Sequence, residues 1–384
     1  AAAKAESTAG KVKTDTERAG WDSHPARLVF GYGLCYDGFR IRKKGNGEMS
    51  EWMEMEQAPV RYCGETPEWM EAFCCLPELQ RLRDVGMNCG CEYTAFARFR
   101  GLPRYSRFRH SLGVCRIVWH FTDDRTQALA GLFHDIATPC FAHTVDFLHG
   151  DHLRQEYTEG RTEAIIRGSA ELCSLLKAYG IDVDAVTDYH RYPVADNDSP
   201  RLSADRLEYT LGNLACYGLR DVQTLQAYYD AICVENGADG VPELAFASEE
   251  TAYRFALDAL KMSRIYVAEE ARYAMQRLSE LLRRAMERGV LSAEALYGTE
   301  PEVIAALTGD ADTRTKWESF RALHEMLRDR KDAPDGAWRV IPSKKRCIDP
   351  LVCGRGRLSE ISTAFAGELA VFLQEPQDAP LCAR

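Results

Sequence analysis

Four side chains have the types and placement to hold a cation: His110, His134, Asp135 and Asp205. Two imidazoles and two carboxylates suit a divalent first-row ion or magnesium. Each lies near the end of an apolar-periodic stretch. His110 opens one that continues through Val114, Ile117, Val118 and Phe121, and His134-Asp135 closes another, Ala128-Leu129-Ala130-Gly131-Leu132-Phe133. Asp205 falls in the first turn of a third, which starts near Ser203 and runs through Leu207, Leu211 and Leu214. An apolar stripe anchors a helix in the core and so fixes where its terminal side chains point. Neighbouring helical residues diverge by about 100°, so His134 and Asp135 reach one ion only if it sits by the helix end. Four protein ligands on an octahedral ion leave positions for a water and a phosphate oxygen, as metal-assisted hydrolysis requires. A His-Asp pair alone reads equally as a turn.

The surrounding strings make the pattern specific. Arg107-Phe108-Arg109-His110-Ser111-Leu112-Gly113-Val114 comes first, then Ala130-Gly131-Leu132-Phe133-His134-Asp135, then Phe141-Ala142-His143, then Asp205-Arg206-Leu207-Glu208-Tyr209. In this order they resemble the HD-domain phosphohydrolase superfamily, and within it the deoxynucleoside triphosphate triphosphohydrolase branch. Pro77-Glu78-Leu79-Gln80-Arg81-Leu82-Arg83 resembles the segment that precedes the first His there. The resemblance covers roughly residues 67–220.

The resemblance implies that His110, His134, Asp135 and Asp205 coordinate one divalent metal ion, with Mg, Mn, Fe, Co, Ni and Zn all compatible. It implies that Arg107, one turn before His110, faces phosphate, where a guanidinium forks onto two oxygens. Arg206 stands where the branch carries a phosphate-contacting Lys, and Tyr209 where it carries a sugar-side Tyr. His143 matches a His near the scissile phosphate, suited to general acid or base work. Arg81 and Arg83 resemble residues that help bind a regulatory nucleotide between subunits, so a homo-oligomer is expected. The branch commonly reads Gly-His-Gly-Pro after its His-Asp pair, whereas here Thr138-Pro139 follows and reads as an N-cap with the first helical residue. A further His is replaced by Glu159, a proton carrier if burial raises its pKa.

The function expected is a metal-dependent phosphohydrolase acting on a nucleotide, deoxynucleoside triphosphates among them, or on a related phosphate ester. One alternative is a two-metal HD-domain oxygenase, for which His149, His152 and His190 lie in the right interval. Another is a nucleotide-binding regulatory protein with little turnover.

The whole chain sets bounds on these readings. It has 384 residues and a net charge of −10, so a generally basic duplex-binding protein is not expected. Charge is uneven, however: residues 81–116 hold eight Arg against Asp84 and Glu92. That window suits an anionic ligand, and Tyr93, Phe96, Phe99, Tyr105 and Phe108 interleave with it. No run approaches the roughly 18 apolar residues of a spanning helix, and residues 1–22 lack a leader's apolar core. A cytoplasmic protein without membrane contact is expected. The fourteen Cys are expected to be reduced, with Cys74, Cys75, Cys89 and Cys91 as buried thiols.

The elements that must position the site are helical. Residues 67–85 show helical apolar spacing with Pro77 opening a new turn, 249–288 read as one or two long helices, and 313–328 as another. Residues 338–372 read as short strands and loops, and 27–56 as a small strand pair. The fold class expected is mainly α: an HD-domain helical core with a small mixed α/β C-terminal lobe and short N-terminal strands. The boundaries are a flexible tail at 1–22, a strand-containing segment at 23–66, the helical domain at 67–290 and the C-terminal lobe at 291–384.

Overall fold

The computed structural model describes residues 60–63, 66–153, 161–333 and 337–384. The expected tail at 1–22 and strand pair within 27–56 lie outside the described residues, as does Glu159. Two short helices come first, α1 (Glu68–Cys74) and α2 (Pro77–Gln80), with Pro77 at the opening of the second where its missing N–H costs nothing. The helices that carry the candidate ligands follow. In α3 (Arg107–Thr122) the Ser106 hydroxyl caps the first turn by accepting from the Arg109 N–H, and Asp123 ends the helix in a left-handed conformation. Asp124 caps α4 (Arg125–Phe133), which stops at His134.

Next come α5 (Thr144–His149), α6 (Thr162–Gly168) and α7 (Ala170–Ala178). Ser203 caps α8 (Ala204–Cys216), and α9 (Val222–Asp230) follows. The expected stretch at 249–288 divides into α10 (Glu249–Tyr266) and α11 (Glu269–Glu287). After α12 (Glu300–Gly309) and α13 (Ala311–Arg321), the chain closes with α14 (Leu358–Ile361) and α15 (Thr363–Gln374). The fold is mainly α, as the periodicity indicates.

Helix α3 packs on both α4 and α8. Phe108, Leu112, Leu132, Phe133, Leu207 and Leu211 are fully buried in the core they share. Each such side chain contributes about 1.5–3 kcal/mol relative to exposure, which holds the three helix ends in register. A second apolar core surrounds α11, α12 and α13 and includes Phe96, Phe99 and Phe141.

Four local expectations are corrected. A hairpin, β1 (Ile232–Asn236) and β2 (Pro242–Phe246), interrupts the helical stretch, turning through Gly237 and Gly240. With β3 (Arg339–Val340) before it in the C-terminal region, β4 (Leu351–Val352) pairs parallel to β2 and β5 (Gly356–Arg357) antiparallel to β4; β6 (Pro380–Leu381) pairs with β3. The helix expected over 313–328 ends at Arg321, and α14 and α15 occupy part of the span read as strands and loops. Reduced thiols do not account for every cysteine: Cys233 and Cys353 form a disulfide. The pairing of β2 with β1 on one side and β4 on the other brings these two cysteines together across β2. The remaining described cysteines are thiols, with Cys74 and Cys91 buried.

Candidate metal centre

The packing of α3 against α4 and α8 brings His110, His134 and Asp205 together. His110 Nε2 lies 3.1 Å from His134 Nε2 and 3.0 Å from Asp205 Oδ1. His134 Nε2 lies 3.6 Å from the same Asp205 oxygen. Candidate ligand atoms of these three residues all fall within 4.8 Å of one another. Helix ends reinforce the arrangement. The C-terminus of α4, the negative end of its dipole, delivers His134, while the N-terminus of α8 supports the Asp205 carboxylate.

The tautomers follow from the second nitrogen of each ring. His134 Nδ1 is 2.7 Å from the Gly131 carbonyl oxygen, so it donates. His110 Nδ1 is 2.5 Å from Glu208 Oε2. With both Nδ1 atoms donating, both Nε2 lone pairs point at one another and at a carboxylate oxygen. Three acceptors at 3.0–3.6 Å repel unless a cation sits among them. These separations match neighbouring ligands on a first-row ion with bonds of about 2.0–2.2 Å. The donor set fits a divalent metal.

Glu208 is the functional residue that motif reading left without a role. It is fully buried, and it accepts from Tyr105 Oη at 2.5 Å and Tyr62 Oη at 3.3 Å besides contacting His110. Two glycines make room for it. A Cβ on Gly113 would collide with the Glu208 side chain, and one on Gly212 with the Tyr105 ring. The spacing Asp205-x-x-Glu208 on one helix was the available signal, since residues three apart share a face.

The electrostatics favour positive charge at this point. Burial pushes the His110 imidazole down, but its hydrogen bonds to Asp205 and Glu208 outweigh it and raise the pKa to about 10, so without a metal a proton on Nε2 takes the place of the cation. Burial would lift Asp205, yet His110 and His134 hold it well below the usual carboxylate range. Asp135 is likewise held low, against burial, chiefly by Arg107.

Asp135 stands at the edge of the centre. Its Oδ2 is 3.5 Å from His134 Nε2 and 3.8 Å from His110 Nε2, but Arg107 Nη1 donates to that oxygen at 2.9 Å. Thr138 does not cap a helix, in correction of its N-cap reading: its hydroxyl donates to Asp135 Oδ1 at 2.7 Å, and α5 begins only at Thr144. The nearer carboxylate wins the hydroxyl. Arg107 is buried with its Nε unsatisfied, one guanidinium group held in reserve at the edge of the centre.

A cavity of about 220 Å³ opens onto the ligands at the seam between the two cores. Arg107, His143 and Tyr209 line it. His143 Nδ1 is 2.9 Å from the buried Asp146 Oδ2, so Nδ1 donates and Nε2 faces the cavity side as an acceptor. Burial lowers the His143 pKa, and the Arg346 and Arg107 charges add to this against Asp146. His143 is therefore held neutral. Burial pushes the Tyr209 phenol up to about 12. The loop leading to His143 carries two left-handed non-glycine residues, Phe141 (φ 62°) and Ala142 (φ 41°). Such strain, about 1–3 kcal/mol per residue, persists where neighbours over-determine the backbone. Here Glu300 accepts from the Phe141 N–H at 3.3 Å.

Of the expected binding residues, Arg206 is placed away from the cavity, a correction, while Arg81 and Arg83, expected to bind between subunits, make contacts within the chain. The Arg206 guanidinium is taken up by Asp196, by the Asn197 side chain and carbonyl, and by Ser203, acceptors that lie nearer than the cavity. Arg81 donates to the carbonyls of Ile136 and Thr138 at 2.7 and 2.8 Å, clamping the turn after the His-Asp pair. Arg83 lies over the Phe108 ring. None of the three lines the cavity. Nor do His149, His152 and His190, the extra ligands a two-metal oxygenase needs: His152 stacks on Phe147 and His190 contacts Asp188.

No family model matches the chain. It is 27% identical over 206 residues to the uncharacterized protein YdhJ of Bacillus subtilis, a match covering 53% of this chain and 61% of that protein. It is 24% identical over 292 residues to the metal-dependent phosphohydrolase cns2 of Cordyceps militaris, covering 73% and 79%. A third match, to the uncharacterized protein YwfO of Bacillus subtilis, is 30% identical over 184 residues and covers 43% and 40%. The chain thus spans less than two thirds of either Bacillus relative. In fold it is similar to a hypothetical protein from Aquifex aeolicus, with a TM-score of 0.54, 17% identity and coverage of 78% of this chain and 89% of that one. Among the described residues, no helix is long and apolar enough to cross a membrane.

Proposed function

We propose that the protein is a metal-dependent phosphohydrolase of the HD-domain superfamily, acting on a nucleotide or a related small phosphate ester. The observation that carries this reading is the convergence of His110 Nε2, His134 Nε2 and Asp205 Oδ1, each ring turned by a hydrogen bond at its other nitrogen. The similarity to the Cordyceps militaris metal-dependent phosphohydrolase supports the same class. A divalent ion held there supplies Lewis acidity at a phosphoryl oxygen and lowers the pKa of a bound water.

The chain's own residues do the rest. Arg107, anchored through Nη1 to Asp135, presents a fixed guanidinium that offsets charge developing on the phosphoryl oxygens. His143, neutral and oriented by Asp146, accepts a proton at Nε2 from the attacking water and returns it to the leaving oxygen. Tyr209 on α8 offers a ring and a protonated hydroxyl to the sugar side of a substrate.

The test is a matrix of divalent metals against phosphate esters and nucleotides with the products identified. Release of phosphate, pyrophosphate or triphosphate that depends on an added metal supports the reading. Full metal occupancy with no turnover, together with thermal stabilisation by a nucleotide, would favour the regulatory alternative.

A further inference from the structure

Residues 341–349, a part of the chain with no motif of its own, contribute Ser343, Lys344 and Arg346 to the cavity that Arg107 and His110 of α3 also line. The strap is fastened along its length. Arg272 Nη1 donates to the Ile341 carbonyl at 2.5 Å, the Ser343 N–H donates to Gln377 Oε1 at 2.6 Å, and the Asp349 N–H donates to the Pro200 carbonyl at 2.8 Å. Lys345 faces away from the cavity. Its ammonium donates to the carbonyls of Phe372 (2.8 Å), Leu373 (2.7 Å) and Glu375 (2.5 Å), closing the C-terminal end of α15.

Lys345 is thus held on the α15 side, while its two neighbours reach the cavity. Lys344 and Arg346 both line the cavity. Arg346 Nη2 lies 3.3 Å from His143 Nε2, the nitrogen left as an acceptor once Nδ1 donates to Asp146. Two guanidinium charges act on His143, Arg346 from the strap and Arg107 from α3. A chain of −10 net charge gathers Arg107, Lys344 and Arg346 on the lining of the cavity that holds the candidate ligands. Neutral substrates give no use for that arrangement. An anion with charge beyond the group at the metal does.

We propose that Lys344 and Arg346 form a second anion-binding wall, with Arg346 a substrate-binding residue for a phosphoryl group beyond the one at the metal centre. The inference rests on the phosphohydrolase reading for the substrate's identity, and its own content is the binding of a polyphosphate group by the strap. Inorganic pyrophosphate is the probe. Its affinity for the metal-loaded full chain is measured calorimetrically for wild type, Arg346→Gln, Lys344→Gln and, as a control on an exposed lysine remote from the cavity, Lys331→Gln, with metal content and Tm recorded for each.

Loss of one charge-assisted contact is expected to weaken pyrophosphate binding about ten- to a hundredfold in Arg346→Gln, with metal content and Tm unchanged. Lys331→Gln is expected to bind as wild type. Wild-type affinity in Arg346→Gln, or no pyrophosphate binding by wild type, overturns the proposal. Should Arg346→Gln lower Tm, the exposed Lys344→Gln decides: a severalfold loss supports the wall and none overturns it. Turnover separates the two claims. A hydrolysing wild type whose Arg346→Gln variant keeps full pyrophosphate affinity refutes the strap alone, whereas a non-hydrolysing wild type whose variant loses that affinity refutes the hydrolase reading alone.

Discussion

His110 and Glu208, 98 residues apart in the chain, meet at 2.5 Å inside the core, and the contact decides which nitrogen of the ring faces the cavity. Asp205, one turn earlier on the same helix, lies 3.0 Å from the opposite nitrogen. One face of α8 thus grips both ends of a single imidazole. The carboxylate behind the ring increases its basicity and fixes its plane, and such outer contacts typically carry 10–100-fold in metal affinity.

Glu208→Gln is therefore expected to bind a divalent ion about 10–100-fold more weakly while keeping the wild-type circular dichroism. Metal titration of the two proteins checks this. Equal affinity would show that Glu208 only fills space.

Gly113 and Gly212 are required by what lies against them. Gly113→Ala drives a methyl into Glu208, and Gly212→Ala drives one into the Tyr105 ring. Each substitution is expected to cost about 1–3 kcal/mol by overpacking and to weaken metal binding as well, because Glu208 holds His110 and Tyr105 holds Glu208. Gly367→Ala, which meets nothing, is the control. Denaturant unfolding and metal titration on the three variants give the comparison.

A carboxyl pair away from the centre, half-buried Glu92 and buried Glu300, sets a pH dependence. Burial, with the neighbouring Glu300 charge next, pushes Glu92 up to about 8 from an ordinary 4.5, and Glu300 is raised too. A carboxyl that holds its proton more tightly when folded stabilises the fold below its unfolded value and loses that contribution as pH rises through its folded value. Stability is thus expected to fall between about pH 5 and about pH 9, on the order of a few kcal/mol in all. Glu92→Gln should flatten that decline. Thermal unfolding in chelator across this range is the measurement, and an unchanged slope would remove the pair as its source.

Helix grammar was readable where local chemistry decides. Ser106 and Ser203 each cap a helix, and apolar spacing placed His110, His134 and Asp205 at the correct ends of α3, α4 and α8. Arg206 shows the limit. Its place beside Asp205 suggested a ligand in the cavity, but the 196–197 loop supplies closer acceptors that spacing does not reveal. Thr138 followed helix-start grammar, and a tertiary contact with Asp135 overrode it. Arg346 had no local pattern at all, since its partner His143 is 203 residues away and only folding joins them. The β1–β2 hairpin was legible in principle, because Gly237 and Gly240 flank the turn between two five-residue strands.

The central claim is that His110, His134 and Asp205 share one divalent ion. Metal analysis after dialysis against Mg, Mn, Fe, Co, Ni and Zn in turn, on wild type, His134→Ala and Asp205→Asn, tests it most directly. The expected result is one ion per chain in wild type with at least one of these metals, and loss of that ion in both variants with the helical signal intact. Wild-type protein that holds none of the six, or variants that hold the ion as tightly as wild type does, would contradict it.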